Sequence, residues 1–173
     1  DVYKRQELEG IHSRTDFDLK QHEEFSGKKL RYYDNEINES YVPYVVETSI
    51  GLDRMFLAIL SSSYNEEELE NNTSRVVLKI PPFLAPYKLA VLPLVKKDGL
   101  SKFAKKLFSA LKLKYNVTYD EKDAIGRRYR RQDSIGTPIC ITVDHETLID
   151  GSVTLRNRDT MLQNRVKIED LND

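Results

Sequence analysis

Glu47, Ser49 and Arg54 stand close together in the run Glu47-Thr48-Ser49-Ile50-Gly51-Leu52-Asp53-Arg54. A carboxylate can hold an ammonium group, and an arginine offers a planar, permanently charged fork suited to phosphate. The run before it, Tyr41 to Thr48, is rich in β-branched and aromatic residues, with Pro43 near its start, and predicts a strand. After Gly51, the residues Leu52, Met55, Phe56, Ile59 and Leu60 recur at spacings of three and four, which predicts a buried or half-buried helix. Alternate strand residues share a face, so Glu47 and Ser49 can enter one pocket. Gly51 would permit a sharp turn, and Arg54 would fall in the first helical turn, where free N–H groups and the dipole attract anions. The plainer reading is a strand-to-helix turn capped by Ser49, with Asp53 complementing the dipole and Arg54 in solvent. Composition alone favours that reading, because caps are common.

Arg127, Arg128, Arg130 and Arg131 around Tyr129 form the densest basic cluster. Basic and aromatic side chains together can hold phosphates and stack on unpaired bases. On a helix, 127 and 131 share a face while 128 and 130 diverge, so all four cannot touch one ligand. Some would pair with acids such as Asp123 or Asp133. Lys102, Lys105, Lys106 and Lys112 line one side of an amphipathic pattern and read mainly as a solvated face. His12, His22, His145 and Cys140 have no metal-ligand spacing, and Asp144-His145-Glu146 reads as a turn.

Elements must position these groups. Glu7 to Phe17 predicts a strand, and Asp18 to Phe25 a short helix capped by Asp16 and stopped at Ser26-Gly27. Leu30 to Tyr33 is a short strand candidate and Asn35 to Ser40 is turn-like. The polar, acidic stretch SSSYNEEELENNTS reads as a surface connection, and Pro81, Pro82 and Pro86 then punctuate the chain. Beyond them come a strand in Tyr87 to Val95, a helix from Leu100 to Leu111 and a strand in Asn116 to Tyr119. A helix from Ala124 to Ile135 closes at Gly136, a strand follows in Thr137 to Val143, and a hairpin spans Ser152 to Arg158 and Gln163 to Ile168. That order predicts a mixed sheet flanked by helices.

The net charge of −1 over 173 residues gives no global pull towards polyanions, so a nucleic-acid site must be local. A hydrophobic content of 39% supports a packed core, and 32% charged residues make the chain very soluble. A lone cysteine excludes an internal disulfide and suits a reducing compartment. The longest apolar stretch, Leu89 to Val95, is too short to cross a membrane, and no basic-then-apolar leader is expected in these residues. Asn-x-Thr triplets at Asn71 and Asn116 are read as chance. The first residue is Asp1 and not methionine, which suggests a fragment.

The run Gly51-Leu52-Asp53-Arg54 resembles motif 3 of class II aminoacyl-tRNA synthetases, whose arginine holds the ATP phosphates. Glu47-Thr48-Ser49 resembles the Glu-Pro-Ser of the glycyl-tRNA synthetase family, in which Glu and Ser recognise glycine. ELEGIHSRTDFDLKQH resembles the same family's Glu-Leu-x-Gly-Ile-x-x-Arg-x-Asp-x-Asp-Leu segment, whose Glu-Leu pair contacts ATP, here Glu7 and Leu8. Arg14 and Asp16 match that segment and carry no assigned role. LAPYKLAVLPLVKKDG, IGRRYRRQDSIGTP and TLRNRDT resemble, in order, the family's anticodon-binding domain.

The resemblance covers residues 7 to 171. It implies a class II catalytic remnant over 1–75 containing an antiparallel sheet, a linker over 76–86, and a mixed five-stranded α/β anticodon-binding domain over 87–173. The resemblance implies an ATP site at Glu7, Leu8, Gly51, Leu52, Asp53 and Arg54, with Arg54 the catalytic residue. It implies a glycine site at Glu47, Thr48, Ser49, Ile50 and Gly51, and a tRNA surface at Arg127, Arg128, Tyr129, Arg130 and Arg131. ATP would arrive with magnesium, with no prosthetic group and no dedicated metal site. The partners implied are glycine, ATP and tRNA(Gly), in a cytoplasmic homodimer of the full-length enzyme. Thr48 replaces a frequent proline, and Tyr3 to Gln6 replace the usual lead-in, suggesting that residues 1–6 are not native. Motifs 1 and 2 have no counterpart, so this chain alone is expected to be inactive. The alternative is a non-catalytic RNA-binding or polymerase accessory module using the same anticodon-binding fold.

Overall fold

A computed structural model describes residues 7–69 and 73–172. Residues 1–6 and Asn71 of the first Asn-x-Thr triplet lie outside them. The chain divides into two compact units, 1–58 and 59–173.

In the first unit, β1 (Glu9–Thr15) pairs antiparallel with β4 (Val45–Ile50). Between them lie α1 (Phe17–Ser26) and a small antiparallel pair, β2 (Tyr32–Asp34) with β3 (Glu39–Tyr41). Asp16 precedes α1 but makes no capping hydrogen bond, its carboxylate pairing instead with Lys20 at 2.5 Å. Gly27 ends α1 in the left-handed region at φ +67, which a glycine adopts without steric cost. The single strand expected from Tyr41 to Thr48 is two strands. Pro43 has no N–H and restricts the residue before it, so pairing stops after Tyr41 and resumes at Val45. α2 (Leu52–Ser63) begins here and is more exposed than its periodicity suggests, with Leu52 82% and Phe56 63% accessible.

The second unit is built on a five-stranded mixed sheet in the order β11-β10-β9-β7-β8. Its strands are β7 (Leu89–Pro93), β8 (Val117–Tyr119), β9 (Ile139–Val143), β10 (Ser152–Asn157) and β11 (Gln163–Lys167). β7 runs parallel to β8 and β9, while β10 runs antiparallel to β9 and β11. The expected mixed five-stranded α/β fold is therefore present. α3 (Leu100–Leu111) covers one face, packing Leu100, Ala104, Leu107 and Leu111 against Val91, Ile141, Val143 and Val153. α4 (Ile125–Ile135) covers the other over Ala90, Leu92 and Cys140. A 3-10 turn, Ile168–Asn172, follows β11.

Two local expectations fail in this unit. The stretch 61–74, expected as a surface connection, instead runs into an antiparallel pair, β5 (Tyr64–Leu69) and β6 (Thr73–Leu78). The glutamates hide an alternation in which every second β5 residue is half-buried. The Asp144-His145-Glu146 turn is the start of α5 (His145–Asp150). Asp144 and Thr147 form a reciprocal capping box, which holds the first turn of so short a helix.

Candidate functional sites

The register of β1 with β4 builds the first site. Gly10 faces Ser49 and His12 faces Glu47 across the pair, so these four share one face. Thr48 faces Ile11 and Ile50 faces Glu9, which sends the side chains of Thr48 and Ile50 to the other face. The glycine set predicted from sequence thus splits, with Glu47 and Ser49 together and Thr48 and Ile50 behind them.

Glu7 and His12 crowd the space above Gly10. A Cβ there would lie 2.4 Å from His12 Nε2 and 3.0 Å from Glu7 Oε1, so a larger residue would push these two exposed side-chain ends aside. Arg54 Nη1 donates to the Glu7 carbonyl at 2.6 Å, tying the first turn of α2 to the residues leading into β1. Glu47 and Ser49 therefore lie on one strand of the pair, Arg54 on the helix that follows it, and Glu7, distant in sequence, just ahead of the other strand. Arg14 makes a two-pronged contact with Asp18 at 2.8 and 3.2 Å and lies 3.6 Å from Glu47 Oε2. Hydrogen bonding from Arg14 holds the Asp18 carboxyl below its ordinary range.

Gly51 departs from expectation. It lacks a positive φ, and a Cβ on it would meet Arg54 at an ordinary 3.6 Å, so the turn does not require glycine. Its carbonyl accepts from Met55 N–H at 2.9 Å as the first bond of α2. The N–H groups of Leu52, Asp53 and Arg54 precede that bond and are free for an anion. Leu8 is partly exposed beside Glu7.

The arginines of α4 separate sharply. Arg128 is buried and donates to the carbonyls of Pro93, Leu94 and Asp120, which closes the end of β7. Arg131 pairs with Asp120 at 2.7 Å and Asp123 at 2.8 Å. Tyr129 shares a 2.6 Å hydrogen bond with Thr142, and Arg156 lies 4.7 Å from its ring centroid. Arg127 and Arg130 are exposed and, among the described residues, carry no ion pair. With Tyr129, Arg156, Met161 and Gln163 they line a concavity of about 430 Å³. The five-residue cluster thus contributes two free cations and one ring to this surface, while Arg128 and Arg131 are committed to the fold.

Arg156 is itself held by a buried network. Asp133, fully buried, accepts from Arg156 at 2.7 and 3.0 Å and from Arg75 at 3.1 Å. Arg75 also bonds Glu67 at 2.7 Å and the Arg158 carbonyl at 2.9 Å, joining β5 and β6 to α4 and the end of β10. Arg158 donates to the carbonyls of Ile80 and Gly136, both at 2.9 Å. Gly136 sits at φ +84 with Ile80 only 2.7 Å from where its Cβ would be, so this approach needs glycine. Sequence reasoning missed Gly10, His12 and Arg156 as site residues. Their signal is register: only the pairings His12 with Glu47 and Arg156 with Cys140 show which face each side chain takes.

Among the described residues no three His, Cys, Asp or Glu side chains gather as a metal site, and no helix is long and apolar enough to cross a membrane.

Residues 88–173 match the family model described as an anticodon binding domain. The chain is 53% identical over 163 residues to a glycine–tRNA ligase of Chlorobaculum tepidum, covering 94% of this chain and 34% of that protein. A glycine–tRNA ligase of Clostridium beijerinckii is 54% identical over 95% of this chain and 35% of its own length. The chain matches one part of glycine–tRNA ligases, as a fragment of such an enzyme. A more divergent bacterial ligase, from Borrelia hermsii, is still 51% identical over 96% of the chain and 38% of its own length. The chain thus spans about a third of the length of the ligases it matches. The alternative of a non-catalytic accessory module is not favoured, since the glycine–tRNA ligase match extends well beyond the anticodon binding domain.

Proposed function

We propose that this chain works as part of a glycine–tRNA ligase. The glycine carboxylate attacks the α-phosphate of ATP, forming glycyl-adenylate and releasing pyrophosphate. The terminal ribose hydroxyl of tRNA(Gly) then attacks the adenylate carbonyl and AMP leaves. No covalent enzyme intermediate is needed, so positioning and charge stabilisation do the work.

Arg54 and the free N–H groups at the start of α2 neutralise the triphosphate. Glu7 and Leu8 hold the adenosine part, with Gly51, Leu52 and Asp53 forming the adjoining backbone. Glu47 and Ser49 hold the glycine ammonium, and Thr48 and Ile50 support the strand from behind. Magnesium travels with ATP and needs no protein cage. Residues 1–75 act as the end of the catalytic domain, 76–86 as the connection and 87–173 as the anticodon-binding domain. Arg127 and Arg130 contact tRNA, with Tyr129 beneath them and Arg128 and Arg131 shaping the helix. The whole enzyme is a cytoplasmic homodimer. Two observations support this reading, the register that sets Glu47 and Ser49 on one strand face and the Arg54 contact with the Glu7 carbonyl, in a chain 53% identical to a glycine–tRNA ligase.

The test is a chimera in which this chain replaces the matching third of the Chlorobaculum tepidum ligase. Glycine-dependent exchange of pyrophosphate into ATP is expected. Arg54→Ala should lower it by roughly a hundredfold or more, the scale of losing a buried charge from one side of a pair. Normal exchange by the Arg54→Ala chimera would sink the assignment.

A further inference from the structure

Glycine, alanine and serine carry the same ammonium and carboxylate, so the charged groups of an amino-acid site cannot tell them apart. A site that keeps only glycine must set bulk against its Cα, where the others carry a side chain. Opposite Glu47 and Ser49, β1 offers two positions on the same face, His12 and Gly10. Gly10 brings no side chain. Further along β1, Arg14 is committed to its ion pair with Asp18. His12 is therefore the group that can set bulk against a molecule held by Glu47 and Ser49.

The imidazole does not stand straight out from β1. Its Nε2 and Cε1 lie 2.4 and 3.2 Å from the point that a Cβ on Gly10 would occupy, so the ring is laid back over Gly10. Directly opposed residues of an antiparallel pair are about 5 Å apart. The ring thus borders Ser49, the partner of Gly10, as well as Glu47, the partner of His12 itself. Glu7 Oε1 comes to 3.0 Å from the same point, which brings the ring up to the proposed adenosine side too. His12 is exposed and makes no hydrogen bond or ion pair among the described residues, so it can be replaced without unmaking the strand pair.

We propose that His12 is the specificity wall of the amino-acid site. With the ammonium held by Glu47 and Ser49, the ring lies against the substrate Cα and leaves space for its hydrogens but not for a methyl group. Gly10 sets the depth of that space, because its missing side chain lets the ring lie flat on the strand. This role rests on Glu47 and Ser49 being the ammonium site, and adds to that site the group that turns larger amino acids away.

Pyrophosphate exchange by the Chlorobaculum tepidum chimera is measured with glycine and with alanine as the amino acid. His12→Ala should lower the glycine-over-alanine ratio of kcat/KM by roughly tenfold or more, the scale of one methyl group in a pocket. His12→Gln keeps a side chain of similar reach and should retain most of the ratio. Gly10→Ala presses the ring towards the substrate and should raise the KM for glycine by roughly tenfold, the scale of overpacking. Adding His12→Ala to Gly10→Ala should recover most of that loss. An unchanged ratio in His12→Ala, with glycine exchange intact, would overturn the wall and leave the ammonium site standing. An equal fall in His12→Gln would overturn the steric account, and so would loss of glycine exchange itself in His12→Ala. Absence of glycine-dependent exchange in the unaltered chimera would overturn the ammonium site, and the wall with it.

Discussion

The two units are made of similar elements but are held together differently. Every buried apolar side chain among the described residues belongs to the second unit, whose sheet is covered by helices on both faces. In the first unit Gly10 is the one buried residue among those described, and Ile11 and Val46 are each 69% accessible. The second unit has the core of an independent domain. The first arranges its site by strand register and polar contacts such as Arg54 with the Glu7 carbonyl, with little core behind it. Site geometry and core packing are thus separable, and mutations should report on each unit in a different currency.

The contrast is broken most severely at Asp133. Asp133→Ala leaves the buried guanidiniums of Arg75 and Arg156 facing each other without their shared carboxylate, and should cost about 3–5 kcal/mol in urea unfolding. A loss under about 1 kcal/mol would mean that the network adds little to the second unit. Leu92→Ala, in the fully buried layer beneath α4, should cost about 2–5 kcal/mol. The paired Val46→Ala in the first unit should stay within about 0.5 kcal/mol, and equal losses at the two sites would erase the distinction drawn here.

Asp144 sharpens the comparison through pH. Hydrogen bonding from Arg165 lowers its carboxyl from 3.8 to about 2. Because the folded value is the lower one, the stabilisation is complete above about pH 4 and disappears as pH falls towards 2. Asp144→Asn, which keeps a capping oxygen, should therefore cost about 1 kcal/mol at neutral pH through the Arg165 pair, with the gap to the parent closing in that acid window. A gap independent of pH would remove the Arg165 pair from the explanation. The smallest effect is chemical. Burial pushes the Cys140 thiol up to about 12, so iodoacetamide should label it only as fast as the second unit unfolds.

Much of this was legible in the sequence. Leu100, Ala104, Leu107 and Leu111 are apolar at helical spacing, and α3 follows from that pattern. Glu47 and Ser49 share a strand face because alternation is local. What depends on distant partners was not legible. Arg128 looks like a surface charge until Pro93, Leu94 and Asp120 are seen to accept from it. β5 looks like an acidic loop until Glu67 is seen to pair with Arg75 and Lys79. The capping box of α5 was readable from Asp144 and Thr147, but the charged run between them looked like a turn.

The proposed function makes this chain one part of an active site that works only within the longer ligase. Pyrophosphate exchange measured side by side on the isolated chain and on the Chlorobaculum tepidum chimera tests it most directly. The account predicts no exchange by the chain alone and glycine-dependent exchange by the chimera. Exchange by the isolated chain would contradict the claim, and so would an inactive chimera whose second unit melts normally.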